Sequence, residues 1–177
     1  MPPTMTPREV RALLEELATR IDDAAIVAGI RVVGGAALSI LDHDRRSTSD
    51  VDAVIIPAGV AAAIVTTLGR ERGLPDNWLN DAALAYVRPV GPEDWTEVFR
   101  RGGVTVSIGS VTMLLAMKLL ANRGVRDSDD IAFLLDACGV TSVTDARAIY
   151  EAYHAQEVRS PSATARVQHW LDGRATT

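Results

Sequence analysis

The chain holds one cysteine, one lysine and no apolar run of membrane-spanning length. Each scarcity excludes something. Cys138 alone rules out an internal disulfide and a cysteine-rich zinc site, and its apolar neighbours read as core packing. Without a long apolar run, no transmembrane helix and no membrane partner are expected. Acids and arginines stand near the N-terminus where a signal peptide needs an apolar core, so the expected location is cytoplasmic. Basic excess is also missing: the net charge is −5 and the pI about 5.2. General nucleic-acid binders are basic because phosphate neutralisation drives their affinity. RNA contact would therefore need a local cluster, for which Arg45, Arg46, Arg100, Arg101, Arg123 and Arg126 are the candidates.

The scarcity of lysine is the most informative of these. Of the 18 basic residues, all but Lys118 are arginine. Lys118 lies inside Val111-Thr-Met-Leu-Leu-Ala-Met-Lys-Leu-Leu-Ala121, an otherwise uncharged helical run. A compact ammonium and a planar guanidinium are not interchangeable where one phosphate must be met at close quarters. The competing reading is a lysine that snorkels out of the core.

What is present suits one domain with a sizeable core and a helical part. Thr6-Pro7-Arg8-Glu9 is a capping box, and Val10, Leu13, Leu14, Leu17 and Ile21 follow at helical spacing, predicting a helix to about Asp23. Ile26–Val33 reads as a strand ending at Gly34-Gly35, and Ala36–Leu41 as a short helix whose N-terminal amides can face a phosphate. Asp42–Ser49 is a polar loop with His43 exposed, and Asp50–Ile56 a second strand stopped by Pro57. Gly59–Gly73 is predicted helical, and Trp78 is expected to anchor a turn over a sheet edge. Leu84–Val87, Thr96–Arg100 and Val104–Ile108 read as strands, the last two joined at Arg101-Gly102-Gly103. Helices are expected from Ser110 to about Asn122, after Asp127, from Thr144, and from Ser160-Pro161 to about Asp172. The predicted fold class is α/β (α+β), a small mixed sheet packed by helices. Residues 1–109 form its α/β core and residues 110–177 an all-helical C-terminal part packed on it as one compact unit.

The chemistry concentrates between Val32 and Ile56. Two glycines close an apolar run; Arg46-Ser-Thr-Ser-Asp50-Val-Asp52 opens the next. Residues i and i+2 of a strand point to one side, so Asp50 and Asp52 project together while Val51 faces the other way. Paired carboxylates repel unless a cation lies between them, and hard oxygen ligands suit Mg²⁺. Arg46 and the hydroxyls of Ser47, Thr48 and Ser49 are placed to meet phosphate oxygens, the alternative being a solvated loop.

Gly-Gly, Arg-x-Thr-x-Asp-x-Asp, a lone lysine in an apolar helix and Arg126-Asp-Ser-Asp-Asp130 occur here in one order. The combination resembles the nucleotidyltransferase superfamily, whose core is like that of polymerase β. Within it the chain is most similar to the AbiEii and MenT type toxins and their uncharacterised bacterial relatives, over roughly residues 32–135. The resemblance implies a catalytic set of Asp50, Asp52, Lys118 and Asp130, with Asp50 and Asp52 as the Mg²⁺ ligands. It implies Gly34, Gly35, Arg46, Thr48, Ser49, Lys118 and Arg126 around the nucleotide, Lys118 holding the triphosphate and Arg126 pairing with an acid or reaching phosphate. One departure stands out. Many members carry a third carboxylate on a later strand, whereas Val104-Thr-Val-Ser107 has none and the nearest acids are Glu93, Asp94 and Glu97.

The expected activity is Mg²⁺-dependent transfer of a nucleotide from an NTP, with the tRNA 3′ end as first-ranked acceptor and a cognate antitoxin as partner. A protein or an aminoglycoside-like acceptor is the second reading. The third is a non-catalytic NTP-binding protein.

Overall fold

The computed structural model describes residues 4–42, 47–87 and 91–175. The chain divides into two compact units, Met1–Ala85 with Gly91–Gly109, and Tyr86–Val90 with Ser110–Thr177.

The first unit is built on a five-stranded mixed sheet. Its elements in chain order are α1 (Pro7–Asp23), β1 (Ala28–Val32), α2 (Gly34–Leu41), β2 (Val51–Ile56), α3 (Ala62–Glu71), β3 (Leu79–Asn80), β4 (Trp95–Arg101) and β5 (Val104–Gly109). The strand order is β3-β2-β1-β5-β4. β1 runs parallel to β5 and antiparallel to β2, with Val32 opposite both Ile108 and Ala53. One face is apolar because every second residue is: Ala28, Ile30 and Val32, then Val51 and Ala53, then Val104, Val106 and Ile108 are all buried. Their alternates, among them Gly29, Arg31, Asp52, Thr105 and Ser107, are half-exposed.

The α1 start is a complete capping box, with Glu9 N–H donating to Thr6 Oγ1 and Thr6 N–H to Glu9 Oε2. Its stripe of Val10, Leu13, Leu14, Leu17 and Ile21 is buried, α1 lying against β5 and α2 against β2. The β4–β5 turn is fastened to the end of α1: Gly103 N–H donates to Asp22 Oδ1 at 2.9 Å. Gly102 has φ +50°, and a Cβ there would meet the Asp22 carboxylate.

Several local expectations are corrected. Leu84–Val87 is not a strand; Ala82–Tyr86 form a 3-10 turn. Asn80 Oδ1 accepts the Ala82 N–H, an Asx turn that closes β3, and the alanines that follow have little β preference. Trp78 directly precedes the edge strand β3, its carbonyl accepting from Val51 N–H, and its side chain is buried against α3. It is 1% exposed, its indole donates to Val65 O at 3.2 Å, and only a glycine fits opposite, since a Cβ on Gly69 would lie 2.6 Å from Trp78 Nε1. Strand β2 starts at Val51, one residue after Asp50, and α3 begins at Ala62 rather than Gly59.

The second unit is helical: α4 (Val111–Ala121), α5 (Ser128–Ala137), α6 (Val143–Tyr153) and α7 (Pro161–Ala175). Ser110 caps α4, accepting from Met113 N–H, and Met113–Leu119 are buried without interruption. α6 opens on Ser142, whose capping box with Asp145 sets the start one residue before Thr144. Gly124–Asp127 wind into a 3-10 turn where a loop was expected. Cys138 is half-buried beyond α5, and burial pushes its thiol up to about 11, so it stays protonated. No helix among the described residues is long and apolar enough to cross a membrane.

Substituting Gly102→Ala forces an L-residue into the left-handed region against Asp22. Urea denaturation is expected to show a loss of about 1–2 kcal/mol.

Candidate functional site

In the first unit the glycine pair and the acid pair are brought together. Val33 N–H donates to Asp52 O at 2.8 Å, which carries the β1–β2 pairing up to the turn. There Gly34 takes φ +64° and starts α2. A Cβ on Gly34 would collide with the Asp52 carboxylate, and one on Gly35 would lie 2.8 Å from Thr48 Oγ1. The turn therefore needs glycine for its conformation and for room. It sets Asp52 against the first residue of α2, whose positive dipole end favours negative charge.

Val51 is fully buried while Asp50 and Asp52 are half-exposed, as alternation at the mouth of β2 requires. Polar neighbours hold Asp50. Thr48 Oγ1 donates to its carbonyl at 3.1 Å, Ser49 Oγ reaches Oδ1 at 3.4 Å and Asn80 Nδ2 reaches Oδ2 at 3.5 Å. Thr48 is in turn paired with Met5 through two backbone hydrogen bonds. Asn80 is a neighbour the sequence did not reveal, because only the pairing of β3 with β2 brings it to Asp50. Arg46, His43 and Arg45 lie outside the described residues.

Among the described residues no group of three or more His, Cys, Asp or Glu side chains could hold a metal ion. Two carboxylates still fit Mg²⁺, which keeps several waters and is held by one or two carboxylates together with substrate phosphates.

The second unit carries a separate cluster. Lys118 projects from the last turn of α4, 7% exposed, between two aspartates. Its Nζ lies 2.8 Å from Asp127 Oδ1 and 2.7 Å from Asp130 Oδ2. Asp127 is fully buried and also accepts from Arg123, from the backbone N–H at 2.8 Å, Nε at 3.2 Å and Nη2 at 3.3 Å. Burial alone would raise the Asp127 carboxyl; the Lys118 ammonium and the Arg123 N–H outweigh it and hold the group at about 2.

Lys118 and Asp130 are thus neighbours, the ammonium being ion-paired with both aspartates. Arg126 is exposed and pairs with no acid among the described residues; Arg123 takes the place beside Asp127. The missed residue is Asp127. The Arg-Asp-x-x-Asp spacing contained the signal, since positions three apart share a helix face.

With its ordinary value of 3.8 lowered to about 2, Asp127 stabilises the fold fully above about pH 4, and that stabilisation is lost as pH falls through 2. The loss expected for wild type is about 2 kcal/mol across this window. Urea melts at stepped pH should show it, and Asp127→Asn should flatten the profile while lowering stability at neutral pH by about 3 kcal/mol.

No protein-family model matches the chain, and neither a curated protein nor a solved structure matches it.

Proposed function

We propose that the protein is a Mg²⁺-dependent nucleotidyltransferase, moving a nucleotide from an NTP to an acceptor, with the tRNA 3′ end as first acceptor. The observation that carries this reading is the Gly34-Gly35 turn pressed against Asp52 at the start of α2. A left-handed glycine, a helix start and a half-exposed acid pair in one place suit a phosphate chain approached by backbone.

Asp50 and Asp52 would hold the metal. When bound, Mg²⁺ would neutralise phosphate charge and polarise the α-phosphorus. Ser49 and Asn80 reach the carboxylate of Asp50 while Thr48 holds its carbonyl, so little reorganisation is needed when the nucleotide arrives. The acceptor hydroxyl forms the new bond to the α-phosphorus and pyrophosphate leaves, so the protein needs positioning and charge more than a covalent nucleophile. Lys118 enters this proposal through the resemblance alone, which gives it the triphosphate; in the structure its ammonium lies between Asp127 and Asp130. A role as the toxin of a toxin–antitoxin pair, and hence a protein antitoxin, belongs to the same proposal.

A specific observation favours a second reading, an NTP-binding protein without turnover. The described residues offer no third carboxylate to the acid pair, and the charge of Lys118 is already matched by two aspartates.

The test is transfer of label from each α-³²P NTP to total tRNA, with protein and aminoglycoside acceptors alongside. Labelled tRNA with wild type, reduced about 100-fold or more in Asp52→Asn, is the expected result. Label on another acceptor moves the substrate, and NTP·Mg²⁺ binding without any transfer would establish the second reading.

A further inference from the structure

Helices α5 and α7 of the second unit enclose a groove of about 430 Å³, lined by Ser128, Ile131, Arg166, His169, Trp170 and Arg174. Its volume falls in the range of small-molecule sites. The α7 side is a regular stripe. Arg166, His169, Trp170, Gly173 and Arg174 stand at i, i+3, i+4, i+7 and i+8, the spacing that normally carries an apolar face. Here that face offers cations, an imidazole and an indole.

Three features point to the occupant. Among the described residues Arg166 is held by neutral partners, its Nε by Asn122 Oδ1 at 3.3 Å and its Nη1 by Ser128 Oγ, and no acid there pairs with it. The guanidinium of Arg174, by contrast, is paired with Asp136 and lies 4.9 Å over the Trp170 ring, making a flat cation–aromatic edge. Next to that edge Gly173 leaves open space: a Cβ there would meet nothing within 4 Å. A glycine inside a helix is less favourable than alanine, and here it leaves room in the groove that Trp170 also lines.

A fixed, unmatched guanidinium asks for an anion, and an indole flanked by space asks for a planar ring. A nucleotide supplies both at the right scale. Bases are free to stack on protein aromatics when the strand is single, whereas a duplex keeps them inside.

We propose that this groove binds one nucleotide of a single-stranded RNA segment, the base stacked on Trp170 and the phosphate held by Arg166. The choice of RNA rests on the nucleotidyltransferase reading, in which the first-ranked acceptor is an RNA.

The experiment is fluorescence anisotropy of a labelled single-stranded RNA of about 12 nucleotides, without NTP or Mg²⁺. Trp170→Ala should weaken binding about ten-fold, with Trp170→Phe keeping most of the affinity. Arg166→Gln should reduce the slope of log affinity against log salt by about 0.7, a readout that a purely structural role would leave unmoved. Duplex RNA of equal length should compete poorly. Absence of binding by wild type, unchanged affinity in Trp170→Ala, an unchanged salt slope in Arg166→Gln, or equal competition by duplex each overturns the proposal. So does displacement by an acidic peptide where RNA shows no effect, which would give the groove to a protein partner. Because no NTP is present, failure here leaves the transfer assay standing, and failure of transfer leaves this measurement readable.

Discussion

One ammonium between two buried carboxylates organises the second unit. Taking Asp127 wholly out of water costs several kcal/mol unless donors replace the solvent, and it has four of them, from Lys118 and Arg123. Those donors come from the last turn of α4 and the residue after Asn122, while Asp127 itself ends the 3-10 turn that opens α5. Satisfying one charge therefore fixes where α4 stops and where α5 begins. It also gives the lone lysine a structural reason. A compact ammonium on a flexible stem reaches both aspartates from a position only 7% exposed, where a planar guanidinium would present a larger, forked head.

The first unit solves a different problem, that of bringing carboxylates to the end of a sheet without burying them. Alternation along β2 places Val51 and Ala53 in the core and leaves Asp52 on the other face. The neighbouring turn then has to give way, and Gly34 does so by lacking a Cβ where the Asp52 carboxylate stands. Thr48 and Asn80 complete the support of Asp50 from the preceding loop and from the edge strand β3. Acid pair and glycine pair are thus one packing arrangement, and substitution of either member disturbs the other.

Local signals were legible wherever the physics is local. The Thr6–Glu9 capping box, the stripe of α1 and the alternation of β1, β2 and β5 could be read from spacing alone, because each concerns neighbours on one element. The strand expected at Leu84–Val87 failed for a related reason: short apolar runs carry little directional information, and the Asn80 side chain decides the turn. Of the candidate site, Gly34, Asp52, Lys118 and Asp130 stood out by residue type and spacing, while the contacts of Gly34 with Asp52 and of Lys118 with Asp130 came from the fold. Asn80 and Arg123 became visible only through contacts that cross elements or turns, whereas the spacing of Asp127 and Asp130 already held the signal for Asp127.

The sequence by itself determined the fold class, the acid pair at the mouth of a strand and the singular place of Lys118, since these depend on residue type and period. Tertiary structure decided how charge is matched. It set Lys118 between Asp127 and Asp130, turned Arg123 rather than Arg126 toward the acid, and left Arg166 with neutral partners beside Trp170. Charge pairing over a few ångströms depends on which side chains the packed helices bring within reach, and spacing along the chain does not encode that distance.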